Sequence, residues 1–112
     1  FPDSFQAQVA LGEFLWKAER IDEAFKVLER AAGMVPMATG PKSPHAMMAQ
    51  MALQRKDRAR VITELEKLLQ HAHTDLDSAR LLARQLEDSG APPARLIPAY
   101  ERIARITRCS GA

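Results

Sequence analysis

A large side chain followed at once by a small one recurs three times along the chain, at intervals of 37 and then 34 residues: Leu11-Gly12, Met48-Ala49 and Leu82-Ala83. A second series keeps nearly the same spacing, at 37 and then 35 residues: Ala24, Val61 and Leu96. A period of this length indicates supersecondary units that bury their apolar faces only by stacking on one another. The extra residues fall in the loop 37–42 and around Pro92-Pro93, where insertions cost little free energy.

Apolar residues follow helical periodicity in six segments separated by turn-forming residues. The predicted helices begin near residues 5, 22, 43, 57, 75 and 92. Ser4 is the predicted N-cap of the first, and Ser43-Pro44 opens the third with a cap followed by a proline. Pro98 either kinks the sixth helix or marks its first turn. Since no stretch alternates with a period of two, we predict an all-α protein without a sheet.

Each predicted helix carries an apolar stripe that we expect to face the core. On the first helix this stripe includes Leu11 and Phe14. On the sixth helix it consists of Leu96, Ile97, Tyr100, Ile103 and Ala104. Among three clustered methionines, we expect Met48 and Met51 in the core and Met47 partly exposed.

The first predicted helix pair resembles the tetratricopeptide repeat family, through Leu11-Gly12, Leu15, Asp22-Glu23-Ala24, Leu28, Ala31 and a closing Pro36. Gln8 stands where that family favours Trp, and leucines replace both of its aromatic residues. The third pair is similar through Leu82-Ala83, Leu86, Gly90, Leu96, Tyr100 and Ile103; the second is less so, with His73 in place of the closing proline. The resemblance implies one domain over residues 1–112, a right-handed α-solenoid of antiparallel helix pairs, with repeats at about 5–38, 43–75 and 76–106.

In tetratricopeptide proteins, one face of the first helix of each repeat lines a concave groove that binds peptides. The resemblance implies that this groove is lined here by Val9, Glu13, Trp16, Ala46, Gln50, Leu53, Arg80, Arg84 and Glu87. Trp16 and Leu53 are candidate apolar anchors, and Arg80 and Arg84, one turn apart, suit a carboxylate. The alternative is that Trp16 packs against its neighbours and the arginines are only solvated. Chaperone-tail clamps of this family rely on asparagines on that face, and because this chain has none, that ligand class is disfavoured.

The sequence gives no sign of an active site or a cofactor. It has no G-x-S-x-G, H-E-x-x-H, C-x-x-C or phosphate-binding loop motif. His71 and His73 lie two residues apart and would point to different helix faces, so we predict no metal site. Cys109, in a predicted polar tail after the last helix, is taken as a bystander thiol, and as the single cysteine it leaves the redox compartment open.

We therefore expect a protein or peptide partner and no enzymatic activity. The net charge of +2 and interspersed acids do not favour nucleic acid, and no apolar run approaches the roughly 18 residues of a membrane helix. One alternative is a non-catalytic helical appendage of a larger enzyme, which the absence of an initiator Met at Phe1 keeps open. An RNA-reading pentatricopeptide array is disfavoured because the groove face lacks a basic run. Self-association through the last helix is expected if its apolar stripe is uncovered.

Overall fold

The structure is a computed structural model, described here for residues 4–109 without the side chain of Cys109. Its regular elements are six helices: α1 (Phe5–Lys17), α2 (Ile21–Met34), α3 (Pro44–Gln54), α4 (Arg58–Leu69), α5 (Leu76–Asp88) and α6 (Pro93–Cys109). No strand is present within that part of the chain. The predicted all-α class with six helices is confirmed.

Four helices begin after a residue whose side chain caps the N-terminus of the helix. The carboxylate or hydroxyl oxygens of Ser4, Ser43, Asp57 and Asp75 accept hydrogen bonds from the backbone N–H three residues further on. Each such cap stabilises its helix by about 1 kcal/mol. Pro98 lies inside α6, whose first residue is Pro93, so Pro98 does not mark the first turn.

The first, third and fifth helices end in the same turn. In each, the residue after the C-cap has a left-handed backbone, with φ of 63° at Glu19, 60° at Lys56 and 76° at Gly90. Two hydrogen bonds close every turn: the first is Glu19 N–H to Trp16 C=O, Lys56 to Leu53, or Gly90 to Glu87. The second is Arg20 N–H to Leu15 C=O, Asp57 to Ala52, or Ala91 to Leu86. This pair of hydrogen bonds defines the Schellman motif, which recurs here at intervals of 37 and 34 residues.

Each helix contacts the next one along the chain, and α1 also contacts α3. The connections within the pairs α1–α2, α3–α4 and α5–α6 are only three or four residues long, which makes the paired helices antiparallel. The apolar core consists of two clusters. One joins α1, α2 and α3 around Leu28, Met48 and Met51, and the other joins α3, α4, α5 and α6 around Leu65 and Leu82.

Several expected core positions are wrong. On α1, Leu11 is 44% and Phe14 65% exposed, because α2 and α3 cover the adjacent face formed by Gln8, Gly12 and Leu15. On α6, Ala99 and Ile106 are buried, whereas three predicted core residues are exposed: Ile97, Tyr100 and Ala104. Met47 is fully buried in the first cluster rather than partly exposed.

The end of the chain also differs from the prediction. Helix α6 extends through Cys109, so that residue does not belong to a tail after the helix. The remainder of the predicted tail, residues 110–112, lies outside the described residues. Within the described helices, none combines the length and apolar composition that crossing a bilayer requires.

Candidate partner-binding groove

The nine candidate groove positions lie on α1, α3 and α5, and none of them is fully buried. Four are half-buried: Val9, Glu13, Trp16 and Ala46. Five are exposed: Gln50, Leu53, Arg80, Arg84 and Glu87. The turns that end these helices fix their common phase, since the backbone carbonyls of Trp16, Leu53 and Glu87 accept the first turn hydrogen bond in their respective helices.

The structure brings the α1 and α3 positions together. The two helices contact each other, and the indole Nε1–H of Trp16 donates a 2.9 Å hydrogen bond to Oε1 of Gln54. Nearby, Nζ of Lys42 lies 4.0 Å from Oε2 of Glu13. The hydrogen bond holds the indole ring in one orientation at the junction of the two helices, where its uncovered part faces outward.

Trp16 was expected to lie away from the core, but it contacts the core. Together with Val9 it packs against the cluster around Leu28 and Met48, which leaves it half-buried. The packing alternative considered for this residue therefore holds, and the side chain is still partly exposed, so its role in a groove stays a prediction.

A cleft of about 560 Å³ opens beside the indole ring. It is lined by Glu13, Trp16, Lys17, Glu19, Ile21, Gln54 and Arg55. Trp16 and Ile21 give it an apolar part, and the surrounding charged side chains give it a polar rim. Ile21 and Gln54 were not predicted as site residues. Gln54 follows Leu53, which shares the register of Trp16, so the repeat spacing carried a signal for it.

The α5 positions stand apart from the other six. No backbone approach of α3 to α5 like that of α1 to α3 occurs in residues 4–109. A small cleft of about 190 Å³, lined by Leu53, Lys56, Arg58, Val61 and Gln85, separates the two helices. Arg80 and Arg84 are exposed on α5.

Neither Arg80 nor Arg84 has a hydrogen-bond or ion-pair partner within the described part of the chain. Three other arginines form ion pairs: Arg20 with Glu23, Arg55 with Asp22 and Arg95 with Glu66. Two guanidinium groups one turn apart, both with free donors, are suited to binding a carboxylate.

A buried polar network that the sequence analysis missed lies between α3 and α4. The Glu64 side chain is only 3% exposed. Its Oε1 lies 2.7 Å from Nδ1 of His45, and its Oε2 accepts a 2.7 Å hydrogen bond from Nε of Arg60. The Arg60 guanidinium also lies 4.6 Å from the centre of the Phe25 ring on α2. The only sequence signal was the i,i+4 spacing of Arg60 and Glu64.

The network keeps Glu64 ionised. Burial alone would raise the pKa of this carboxyl group, but the hydrogen bond with His45 and the charge of Arg60 outweigh burial, so the pKa lies below its ordinary value. Because both carboxylate oxygens have partners, on α3 and on α4, the group links these two helices and is not available as a free acid. It borders a cleft of about 630 Å³ between α2 and α4, which also contains Lys67 and His71.

The histidines of the connection after α4, His71 and His73, are both exposed. Within the described residues, no three His, Cys, Asp or Glu side chains are grouped as metal ligands would be.

Comparison with known proteins adds no relative: no protein-family model, no curated protein and no solved structure matches the chain.

Proposed function

We propose that the six helices form a right-handed α-solenoid of three tetratricopeptide-like repeats and that the faces of α1, α3 and α5 bind a peptide or protein segment. The observation that carries this proposal is the threefold recurrence of one helix-ending turn at Glu19, Lys56 and Gly90. The turns recur at the same intervals, 37 and 34 residues, as Leu11-Gly12, Met48-Ala49 and Leu82-Ala83, although only the third turn has the glycine that it favours. The same turn at nearly equal spacing supports three units of one design.

The overall shape supports the same arrangement. The Cα radius of gyration is 14.7 Å, with extents of 42 × 29 × 19 Å. A compact domain of this length would have a radius of gyration of about 13 Å. The elongated shape, together with contacts mainly between successive helices, is typical of stacked repeats, in which each unit contacts its neighbours.

The proposed binding surface has two chemically different ends. At the α1–α3 end, Trp16 is already held by Gln54, so a ligand would not have to order this ring when it binds. At the α5 end, Arg80 and Arg84 have their charges free. A matching ligand carries an apolar side chain at one end and an acidic group at the other, in an extended or helical segment long enough to cross the small cleft between α3 and α5.

The experiment uses the intrinsic fluorescence of Trp16, since it is the single tryptophan of the chain. Peptides that carry an apolar and an acidic end would be titrated against the protein, with the same peptides in amidated, acid-free form as the comparison. We expect saturable spectral shifts that the amidated peptides produce only at higher concentration.

Arg80→Gln combined with Arg84→Gln should lower the affinity for the acidic peptides and flatten its dependence on ionic strength. The matched control is Lys26→Gln combined with Arg30→Gln, which removes two exposed charges at the same spacing on α2. Equal losses in both double variants would show a nonspecific effect of net charge and would contradict the proposed orientation.

A further inference from the structure

The cleft between α2 and α4 has the size of a small-molecule site. Its volume of about 630 Å³ lies in the range that such sites occupy. The side chains of Ala32, Pro36 and Met48 give its lining an apolar part. We call this space the α2–α4 cleft. None of the nine candidate groove positions lines it, so it is separate from the proposed peptide site.

The His45 ring lines the α2–α4 cleft with one of its nitrogens already bound. Nδ1 lies 2.7 Å from Oε1 of Glu64, whose ionised carboxylate can only accept a hydrogen bond. Nδ1 therefore carries the hydrogen, which leaves Nε2 as the nitrogen that gains or loses a proton. The His45 side chain is 13% exposed, and it makes no other hydrogen bond within residues 4–109. Nε2 is thus free to bind a ligand in the cleft.

The charges that line the cleft cancel while its histidines are neutral. Besides His45, the ionisable side chains of the lining are Glu29 on α2, Arg60, Glu64 and Lys67 on α4, and His71 in the connection after α4. The Arg60 guanidinium lies 2.7 Å from Glu64 and 3.5 Å from Glu29, so two carboxylates share its charge. Lys67 and His71 have no hydrogen-bond or ion-pair partner in the described part of the chain. Because Lys67 balances the second carboxylate, a proton on either histidine makes the cleft cationic.

We propose that the α2–α4 cleft binds a small organic anion, a carboxylate or a phosphate ester, through Nε2–H of protonated His45 and the ammonium group of Lys67, and that the anion and the proton bind together. An oxyanion accepts hydrogen bonds from such donors, and its charge stabilises the proton on His45. The apolar part of the lining accommodates the rest of the molecule. A metal ion at neutral His45 is not supported, because no three His, Cys, Asp or Glu side chains are grouped as ligands within the described residues.

The test uses benzoate and phenyl phosphate as probes, with benzamide as the neutral counterpart of benzoate. Backbone amide shifts of residues that line the cleft, among them Gly33 and Lys67, report binding in NMR titrations of the whole chain. We expect both anions to saturate these shifts and benzamide to leave them unchanged, and the tighter anion identifies the preferred oxyanion. Benzoate should bind more tightly at about pH 6 than at about pH 8, by up to about tenfold per pH unit, because histidine gains a charge in this range while benzoate keeps its own.

The variant that tests the proposed donor is His45→Asn, since its amide can still donate to Glu64 but has no counterpart of Nε2. It should weaken benzoate binding at about pH 6 by roughly tenfold or more and remove the pH dependence. Lys67→Gln should weaken binding at both pH values and keep the pH dependence. The matched controls are His73→Asn and Lys26→Gln, because both residues are exposed and do not line the cleft, and these variants should bind like the parent.

Proton uptake tests the unsubstituted protein, which keeps the inference open to refutation if His45→Asn fails to fold. Calorimetric titrations of benzoate in two buffers of different ionisation enthalpy should show net proton uptake on binding at about pH 7. Binding without proton uptake, equal binding of benzoate and benzamide, or an unchanged affinity in a folded His45→Asn variant would each overturn the inference. So would the absence of shift changes with both anions up to about 10 mM. These outcomes are separable from a failure of groove binding, because Trp16 and its fluorescence lie outside this cleft.

Discussion

A Cβ atom placed on Gly12 would lie 2.5 Å from Cδ2 and 2.6 Å from Cγ of Leu28. Both residues are buried, and they sit where α1 crosses α2. Glycine inside a helix costs about 1 kcal/mol relative to alanine, so its presence here needs a packing reason. The Leu28 side chain occupies the space that any larger residue at position 12 would need.

Gly12→Ala should therefore lower the free energy of unfolding by about 1–3 kcal/mol, despite the better helix propensity of alanine. Leu28→Ala should lower it by about 2–5 kcal/mol by leaving a cavity. The double variant should lose clearly less than the sum, because the shortened residue 28 makes room for the new methyl group. Denaturant unfolding of the parent, the two single variants and the double variant measures these free energies of unfolding.

The control for the Gly12 and Leu28 variants is Gly33→Ala, since a Cβ on Gly33 would meet nothing within 4 Å. That variant should keep or gain stability, by up to about 1 kcal/mol. Strictly additive losses at positions 12 and 28 would contradict the proposed close contact.

The left-handed residues that end α1 and α3 give a second prediction. Glu19 and Lys56 hold positive φ angles of 63° and 60° without being glycine. Since this conformation costs a side-chain-bearing residue roughly 1 kcal/mol or more, Glu19→Gly and Lys56→Gly should each raise the melting temperature. Gly90→Ala should lower it, although a Cβ at Gly90 would have open space around it. Glu23→Gly, within α2, is the control and should be destabilising; a loss of stability in Glu19→Gly as well would contradict the shared turn geometry.

The third prediction concerns pH and the Glu64 network. Because the pKa of Glu64 in the folded protein lies below its ordinary value of 4.5, the ionised group stabilises the fold above that value. This stabilisation is lost as the pH falls below 4.5 and through the lower folded-state pKa. Glu64→Gln should therefore cost about 1–3 kcal/mol near neutral pH, and the difference from the parent should shrink in acid.

Unfolding free energies measured from pH 7 down to pH 3 give this comparison. The control is Glu66→Gln, which breaks only the exposed pair with Arg95 and should cost less than about 1 kcal/mol. A Glu64→Gln penalty that stays constant into acid would show that the lost interaction is not that of a carboxylate.

The parts of the fold that depend on local sequence were predictable, and those that depend on neighbouring helices were not. Capping at Ser4 and Ser43 involves residues three positions apart, so it can be predicted from residue types alone. By contrast, the exposure of Phe14 depends on which face of α1 the other helices cover. Periodicity identifies an apolar face but not the helix that packs against it. The pairing of His45 with Glu64 joins residues 19 positions apart on two helices and leaves no periodic trace.

The candidate groove shows the same limit. The repeat spacing predicted Trp16 and Leu53 in one register, and in the structure the carbonyl of each accepts the first hydrogen bond of the turn that ends its helix. It did not show that Gln54 would fix the Trp16 ring, because this contact depends on how closely α1 and α3 approach.

The last prediction separates the packing role of Trp16 from its proposed binding role. Trp16→Ala should weaken peptide binding by about 2 kcal/mol or more, because a buried aromatic anchor is lost. It should also destabilise the protein by about 1–2 kcal/mol, since part of the ring is buried against the core. Gln54→Ala removes the acceptor of the indole hydrogen bond and leaves the ring in place, so it should weaken binding by less, through a ring that is no longer held in one orientation. Calorimetric titration reports affinity in all variants, including those without tryptophan fluorescence. A Trp16→Ala protein that is destabilised but binds peptide as tightly as the parent would show that the ring serves packing alone, and the groove would then have to lie elsewhere.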